Sequence, residues 1–427
     1  MIEAVPFYLA ITVFAVTYIA IVTNKISHTV CALAGSGIMI YLGIVSQSAA
    51  VQHYVDFNTL GMLAGMMILI SIVRKSGCFE ALALWSVKAS RGEAKKLLLL
   101  LSLITGVGAA LIDSVTSALL IAPMTLSICR LLKLNPMPFL FAEILMSNIG
   151  GTALMIGNPP NVMIGSASHL DFMDFMFNLA PVVFATTAVI LFFVILIYRK
   201  SLTSRELDES ELSNIVIKNA IQDMGLLKRS LIILGLTIIG FMVHGMLGLQ
   251  SATISMTGAV MAIIVCRIDA EEAVKSIDVN TLLFFMGLFI LVGGLEEAGV
   301  IEKLAQKSID VVDGDVNAMT FLVLGLSGIV SAFVDNIPFT ATMIPLIQDM
   351  QNILGIQVDY LWWSLSLGAC FGGNGTMIGA SPNVIILAEA GKQGYTTSFV
   401  DYFKICFPLM LVSLAVSGVY LYLRYLG

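Results

Sequence analysis

Long apolar runs alternate along the chain with short polar breaks. Runs long enough to cross about 30 Å of hydrocarbon as helices occupy Pro6–Val22, His28–Ser46, Asn58–Val73, Pro138–Ser168 and Asn178–Tyr198, then Leu231–Leu247, Ser251–Cys266, Thr281–Leu295, Leu361–Ala388 and Ile405–Leu423. Two further stretches, Leu97–Leu132 and Ala318–Ile347, are interrupted by Asp113-Ser114-Val115-Thr116 and Asp335-Asn336-Ile337-Pro338. With about 15 residues on either side of each break, the limbs are too short for a comfortable pair of crossings. Each stretch therefore reads as a re-entrant helical hairpin whose tip stops inside the membrane, covered by protein or facing a water cavity.

The pattern repeats. Asp56-Phe57-Asn58-Thr59-Leu60 returns 222 residues later as Asp278-Val279-Asn280-Thr281-Leu282. At the same offset Gly65 falls on Gly287, Asp113 on Asp335 and Pro123 on Pro345. Gly150–Ile164 falls on Gly372–Ile386 with 9 of 15 residues identical. Each half holds five spans and one hairpin, an odd number of crossings, so the second copy enters from the opposite side. The expected fold is an all-α polytopic membrane protein built as an inverted repeat, with discontinuous helices at its site. The expected units are a first repeat over 1–199 (hairpin 97–132, broken helix 138–168), a cytoplasmic linker over 200–228, and a second, inverted repeat over 229–427 (hairpin 318–347, broken helix 361–388). Inverted repeats with broken helices at matching positions are the architecture of secondary transporters, whose sites lie where the repeats meet.

Composition and charge sharpen this. The 427 residues are 58% hydrophobic and 12% charged, where soluble domains carry about 25% charged residues. A soluble enzyme is excluded, the net charge of −6 leaves no basic face for nucleic acid, and there is no Walker A sequence. The six cysteines are scattered without metal-ligand spacing, so no metal or cofactor is expected. The first segment lacks a basic leader and reads as a retained span. With both termini outside the cell membrane, 19 of the 22 basic residues fall on cytoplasmic loops, leaving Lys303, Lys307 and Arg424 outside.

Four motifs break the membrane helices: Asp113–Thr116, Gly157–Asn161, Asp335–Pro338 and Gly379–Asn383. Gly157 permits a strained backbone, and the adjacent prolines cannot hydrogen-bond to earlier carbonyls. Asn158, Ser381, Ser114 or Thr116, and Asn336 are the expected caps of the half-helices that follow. Four half-helix N-termini with free N–H groups would then converge on one cavity. An aspartate at membrane depth costs about 2.5–3.5 kcal/mol and is functional by default, which marks Asp113 and Asp335 as carriers of a coupling proton or Na+. Glu143 either faces the cavity as a further proton site or is an acid at the inner end of its helix. Basic residues are absent from the breaks, so a small neutral polyhydroxy solute suits the site better than a free multivalent carboxylate, which would need bound sodium.

The paired motifs Asp113-Ser-Val-Thr…Pro123, Ser147-Asn148-Ile-Gly-Gly-Thr…Gly157-Asn-Pro-Pro-Asn161, Asp335-Asn-Ile-Pro…Pro345 and Gly372-Gly-Asn374-Gly-Thr376…Ser381-Pro-Asn383 resemble the ion transporter superfamily. The nearest branch by these motifs is that of arsenite efflux permeases and the melanosomal P protein, with sodium/proton antiporters and dicarboxylate carriers further off. The resemblance implies an elevator-type carrier, often a homodimer, in which hairpin tips and unwound helices bind ion and substrate. By position it implicates Asp113, Ser114, Thr116, Asn148, Gly157, Asn158, Asn161, Asp335, Asn336, Asn374, Thr376, Ser381 and Asn383. It implies proton-coupled efflux of arsenite or antimonite; the alternatives are a sodium/proton antiporter, an anion channel or a sodium-coupled carboxylate carrier. It also allows a cytoplasmic ATPase subunit as a partner.

Overall fold

The computed structural model describes residues 4–23, 25–202, 220–355 and 357–427. Most of the expected linker, with Arg205 and Lys218, lies outside the described residues. Among the described residues, the first half supplies nine helices of ten residues or more: α1 (Ala4–Thr23), α2 (His28–Tyr41), α3 (Phe57–Lys75), α4 (Cys78–Ser90), α5 (Ala94–Leu111), α6 (Ser114–Leu131), α7 (Met137–Gly151), α8 (Pro159–Ser168) and α9 (Phe172–Tyr198). The second half follows in the same order: α10 (Met224–Leu247), α11 (Ser251–Cys266), α12 (Val279–Glu297), α13 (Val300–Val311), α14 (Val316–Phe333), α15 (Asn336–Leu354), α16 (Tyr360–Gly372), α17 (Ser381–Lys392) and α18 (Phe399–Leu421). Among the described residues, nine helices are long and apolar enough to cross a membrane.

The repeated Asp-x-Asn-Thr motif turns out to be a helix start. Asp56 Oδ1 accepts from the backbone N–H groups of Asn58 and Thr59 at 2.9 and 3.1 Å. Asp278 does the same for Asn280 and Thr281 at 3.1 and 3.3 Å. Each carboxylate satisfies N–H groups that have no intrahelical partner.

Two packed bodies result. In the first, each repeat lends a helix to the other: α2 lies on α12 and α11 lies on α3, with α1 and α10 alongside. The close approach depends on paired glycines. A side-chain carbon at Gly65 would sit 2.6 Å from the backbone of Ser255, and one at Gly287 would sit 2.7 Å from that of Ala32. Small residues let membrane helices meet backbone to backbone, where dispersion replaces the missing hydrophobic drive. In the second body, the hairpin α5–α6 packs on α7 and the hairpin α14–α15 packs on α16, again through glycine pairs. Gly150 meets Gly106, and Gly372 meets Gly328. The halves interlock here too, with α6 on α17 and α15 on α8.

The outer surface is apolar. Val16, Ile19, Phe184 and Ile264 are each more than 60% exposed, which suits lipid and not water. Basic residues gather where Lys75 pairs with Glu272 at 2.6 Å and Arg130 donates to Gln393 at 2.9 Å. At the other end Lys303 sits over the Phe7 ring, and Arg424 donates to Asn178 at 3.0 Å.

The hairpin limbs differ from expectation. The limbs α5, α6 and α14 have 18 residues each and α15 has 19. At about 1.5 Å rise per residue they match a full crossing in length, so length is not what makes them re-entrant. The first tip is tied to the break between α7 and α8, where Ser114 N donates to Gly157 O at 3.0 Å. Helices α4 and α13 were not legible as spans, because they are short. Helix α13 buries Val300, Ile301, Ala305 and Ile309 and exposes Glu302 and Lys303, an amphipathic stripe that lies on the body instead of crossing.

Candidate functional site

Caps come first, because they place the carboxylates. Asp113, not Ser114 or Thr116, caps α6: its Oδ2 accepts from Thr116 N at 2.8 Å and from Thr116 Oγ1 at 3.0 Å. Asp335, not Asn336, caps α15, accepting from Ile337 N at 3.0 Å. A carboxylate is the stronger acceptor and faces the positive end of the helix, so it displaces the neutral candidates. Ser114 and Asn336 are buried behind it. Ala380 holds the capping position of α17, and Ser381 turns its hydroxyl to Asp335 Oδ2 at 3.4 Å. Asn158 precedes α8 without capping it through its side chain.

The other predicted residues meet where the two broken helices cross. Asn148 of α7 donates to Asn374 Oδ1 and Asn383 Oδ1 at 2.8 and 2.9 Å. Asn383 donates to Gly373 O and Thr376 O at 2.7 and 2.9 Å, re-satisfying carbonyls freed by the break. Asn161 does the same in the first half, donating to Thr152 O and Leu154 O at 3.0 Å each. Thr376 donates its hydroxyl to Ala332 O. These side chains are fully enclosed and committed to backbone or to one another. Unwound backbone persists at membrane depth only when paired in this way.

Asn158 differs. It is 2% exposed, yet its Nδ2 has no partner. It lines a cavity of about 500 Å³ together with Asp113, Thr116, Pro159 and Ser381. The mouth of this cavity holds Arg74, Ser276 and Asp278, beside the Lys75–Glu272 pair, and Arg74 is the one basic side chain that lines it among the described residues. Asp113 and Asp335 thus belong to one region but face different spaces. Asp335 lines two smaller cavities with His28 and Ser381.

A second crevice of about 730 Å³ lies towards the other face, between α3, α10, α12 and the ends of α8 and α15. It is the repeat-related image of the first. Phe289, Val292, Gly293 and Glu296 line it, and at the 222-residue offset they match Met67, Ile70, Ser71 and Arg74 of the first cavity. The images are unequal in depth. The first cavity reaches Asp113, Thr116 and Asn158, whereas none of the predicted site residues lines the second. They are also unequal in charge, with Glu296 standing where the first has Arg74.

Glu143 sits in the second turn of α7. It is fully buried, accepts from the Thr125 hydroxyl, leaves Oε2 without a partner and lines none of these cavities. His244 packs with Nδ1 2.6 Å from Phe241 O and borders the second crevice. Cys370 is buried with Sγ 3.6 Å from Asn158 Oδ1. Sequence reasoning missed Ser366, whose hydroxyl donates to Asn161 Oδ1 at 2.6 Å, and Tyr402, which donates to Asn374 O at 3.1 Å. Both sit in apolar helices where a single hydroxyl carries no pattern. Arg74 and His28 are rare polar residues at helix ends, and only the fold shows that they line cavities reaching Asp113 and Asp335.

Comparison with known proteins agrees with this architecture. Residues 18–368 match the CitMHS family, described as citrate transporter. A 46 kDa membrane protein of Mycobacterium leprae is 37% identical over 423 residues, covering 98% of this chain and 99% of that protein. The P protein of Homo sapiens is 30% identical over 496 aligned positions, covering 97% of this chain and 59% of its own length. The crystal structure of the Alcanivorax borkumensis YdaH transporter superposes with a TM-score of 0.61 at 12% identity, covering 93% of this chain and 97% of that one, a likeness of fold. An all-helical chain with paired hairpins, broken helices and relatives named as transporters is itself a membrane transporter, and it belongs to the CitMHS citrate transporter family.

Proposed function

We propose that this chain is a proton-coupled secondary transporter that exports a small neutral oxyacid, arsenite or antimonite, from the cytoplasm. The carrying observation is the unpartnered Asn158 Nδ2 in a cavity shared with Asp113, Thr116 and Ser381. An uncharged solute bearing hydroxyls can accept from Asn158 and donate to the Asp113 carboxylate in one pose. The half-helix N-termini behind it favour oxygen lone pairs. No lysine or arginine stands at the tips to repay the desolvation of a free anion.

In this reading the face rich in lysine and arginine is cytoplasmic, with both termini outside a cell membrane. The hairpin body moves against the glycine-packed scaffold as an elevator, and the first cavity is its inward-open mouth. The repeat-related crevice marks the path opened in the other state, as expected when alternating access exchanges the conformations of two inverted halves. Protons entering through Asp113 and Asp335 supply the drive: one charge across 100 mV is worth about 2.3 kcal/mol, a gradient of about 1.6 decades. Homodimerisation and docking of an ATPase subunit belong to the same proposal.

A second reading has its own support. The cavity of about 500 Å³ is larger than one small oxyacid fills, Arg74 stands at its mouth, and the family is described by citrate. Citrate presented together with a cation that screens the two aspartates would also fit. Proteoliposomes separate these readings. Proton-driven arsenite flux with no citrate flux supports the first. Cation-dependent citrate flux without arsenite flux replaces it with the second, and sodium-dependent proton movement alone would make the protein an antiporter.

A further inference from the structure

His28 opens α2 on the scaffold, beside Phe284 of α12, with ring centroids 6.1 Å apart. It lines two cavities, of about 220 and 290 Å³, in common with Asp335 and Ser381 of the hairpin body. The imidazole lies within electrostatic reach of the Asp335 carboxylate. Helices α1, α12 and α17 turn only uncharged side chains to these cavities. Asp278 stands behind Thr281, whose hydroxyl it holds at 2.6 Å. Among the described residues, the one acid that lines these cavities with His28 therefore sits on the other body.

The inverted repeat identifies the counterpart of this contact. Helices α2 and α11 begin at His28 and Ser251. Gly287 meets Ala32–Leu33 where Gly65 meets Ser255–Met256, which fixes the same register. His28 thus maps onto Ser251, as Asp335 maps onto Asp113. Ser251 lines the second crevice, on the far side of the body, where His53, His169, His244, Asp56, Asp171 and Glu296 also face the space. Exchanging the conformations of the two halves brings Ser251 opposite Asp113, just as His28 now stands opposite Asp335. One contact contains an imidazole, which can carry a positive charge opposite the carboxylate; the other contains a hydroxyl, which cannot.

We propose that His28 is a positioning residue: protonated, it holds the hairpin body by Asp335 in the orientation open to the basic face. Protons on the side of the basic face thereby retain the body in this orientation. The inference rests on the moving-body reading above and adds to it a named contact, His28 with Asp335, that biases one orientation.

Spin labels at Ile26→Cys on the scaffold and Leu131→Cys on the hairpin body test this, both positions being exposed. Cys78 is replaced by serine, and the full chain is held in nanodiscs. Distance distributions are read at about pH 8 and about pH 6, the range over which imidazole titrates. Two populations are expected, with the one matching this structure rising several-fold on acidification. His28→Gln and His28→Ala should abolish that rise while keeping both populations. Ser251→His, which places the imidazole on the other side, should cancel or reverse it. A pH response unchanged in both His28 variants overturns the proposal. A single population at every pH in the unsubstituted chain overturns the moving-body reading itself, a different failure.

Discussion

Asn148 of the first half donates its side-chain amide to Asn383 of the second half at 2.9 Å, deep in the hairpin body and away from solvent. This bond joins α7, just before the first break, to α17, just after the second. It makes the asparagines of the paired motifs parts of a structural knot. Asn383→Ala would take the side-chain donor from Gly373 O, leave Thr376 O with the backbone N–H of Gly379 alone, and leave Asn148 short of an acceptor. Each buried orphan costs about 1–3 kcal/mol. A loss of about 3 kcal/mol or more is expected, read as a lower unfolding temperature in detergent and less folded protein by gel filtration. Asn148→Leu should behave in the same way.

Asn158 tests the opposite case. Its Nδ2 has no partner to lose, and the sulfur contact to its Oδ1 is long. Asn158→Ala should leave stability within about 0.5 kcal/mol, as for changes away from a satisfied network. Transport affinity should fall about tenfold, the worth of one hydrogen bond of about 1.4 kcal/mol to the solute. The pair of measurements, stability against KM, separates residues that tie the breaks from the one that is poised for a ligand. Unchanged KM with unchanged stability would remove Asn158 from the site.

The two aspartates are predicted to be separable from folding. Asn retains an acceptor oxygen for Thr116 N or Ile337 N, so Asp113→Asn and Asp335→Asn keep the caps that start α6 and α15. Both variants should be recovered folded in normal yield and should lose proton-driven transport by tenfold or more in proteoliposomes. Retained coupling in both would place the proton elsewhere. These acids were legible from sequence because charge at membrane depth is costly and the 222-residue offset placed one on the other. Their capping role was not legible. A cap is a matter of backbone direction at one residue, and Asp, Ser, Thr and Asn in the same four-residue window all qualify until the chain is folded.

The glycine pairs make a prediction about symmetry. Gly65 and Gly287 face backbone at 2.6–2.7 Å, whereas Gly37 and Gly235 face nothing within 4 Å. Gly65→Val and Gly287→Val should each force α3 from α11 or α12 from α2, at about 1–3 kcal/mol of overpacking. Gly37→Ala and Gly235→Ala should be neutral or slightly stabilising, since alanine restricts the unfolded chain. Thermal unfolding of the four variants checks this. Sequence showed that Gly65 and Gly287 correspond, yet it could not show which helix each one meets. That pairing crosses from one repeat to the other and leaves no local trace.

Arg74 decides between the two substrates. It stands at the cavity mouth on the position that Glu296 holds in the repeat-related crevice. A neutral oxyacid has no charge for Arg74 to attract, so Arg74→Gln should change arsenite efflux by less than about twofold and leave it insensitive to salt. A multivalent carboxylate would instead be drawn in by the guanidinium. Removing that interaction should then raise KM by about tenfold or more, with an effect that shrinks as ionic strength rises and the Debye length falls below about 10 Å. Arg74→Glu puts an acid at this position in both cavities and sharpens the contrast: an anion should be excluded outright, while a neutral solute still passes. Initial rates at low and high salt, measured for arsenite and for citrate with a cation present, therefore read substrate charge from a residue that touches neither the caps nor the crossing of the broken helices.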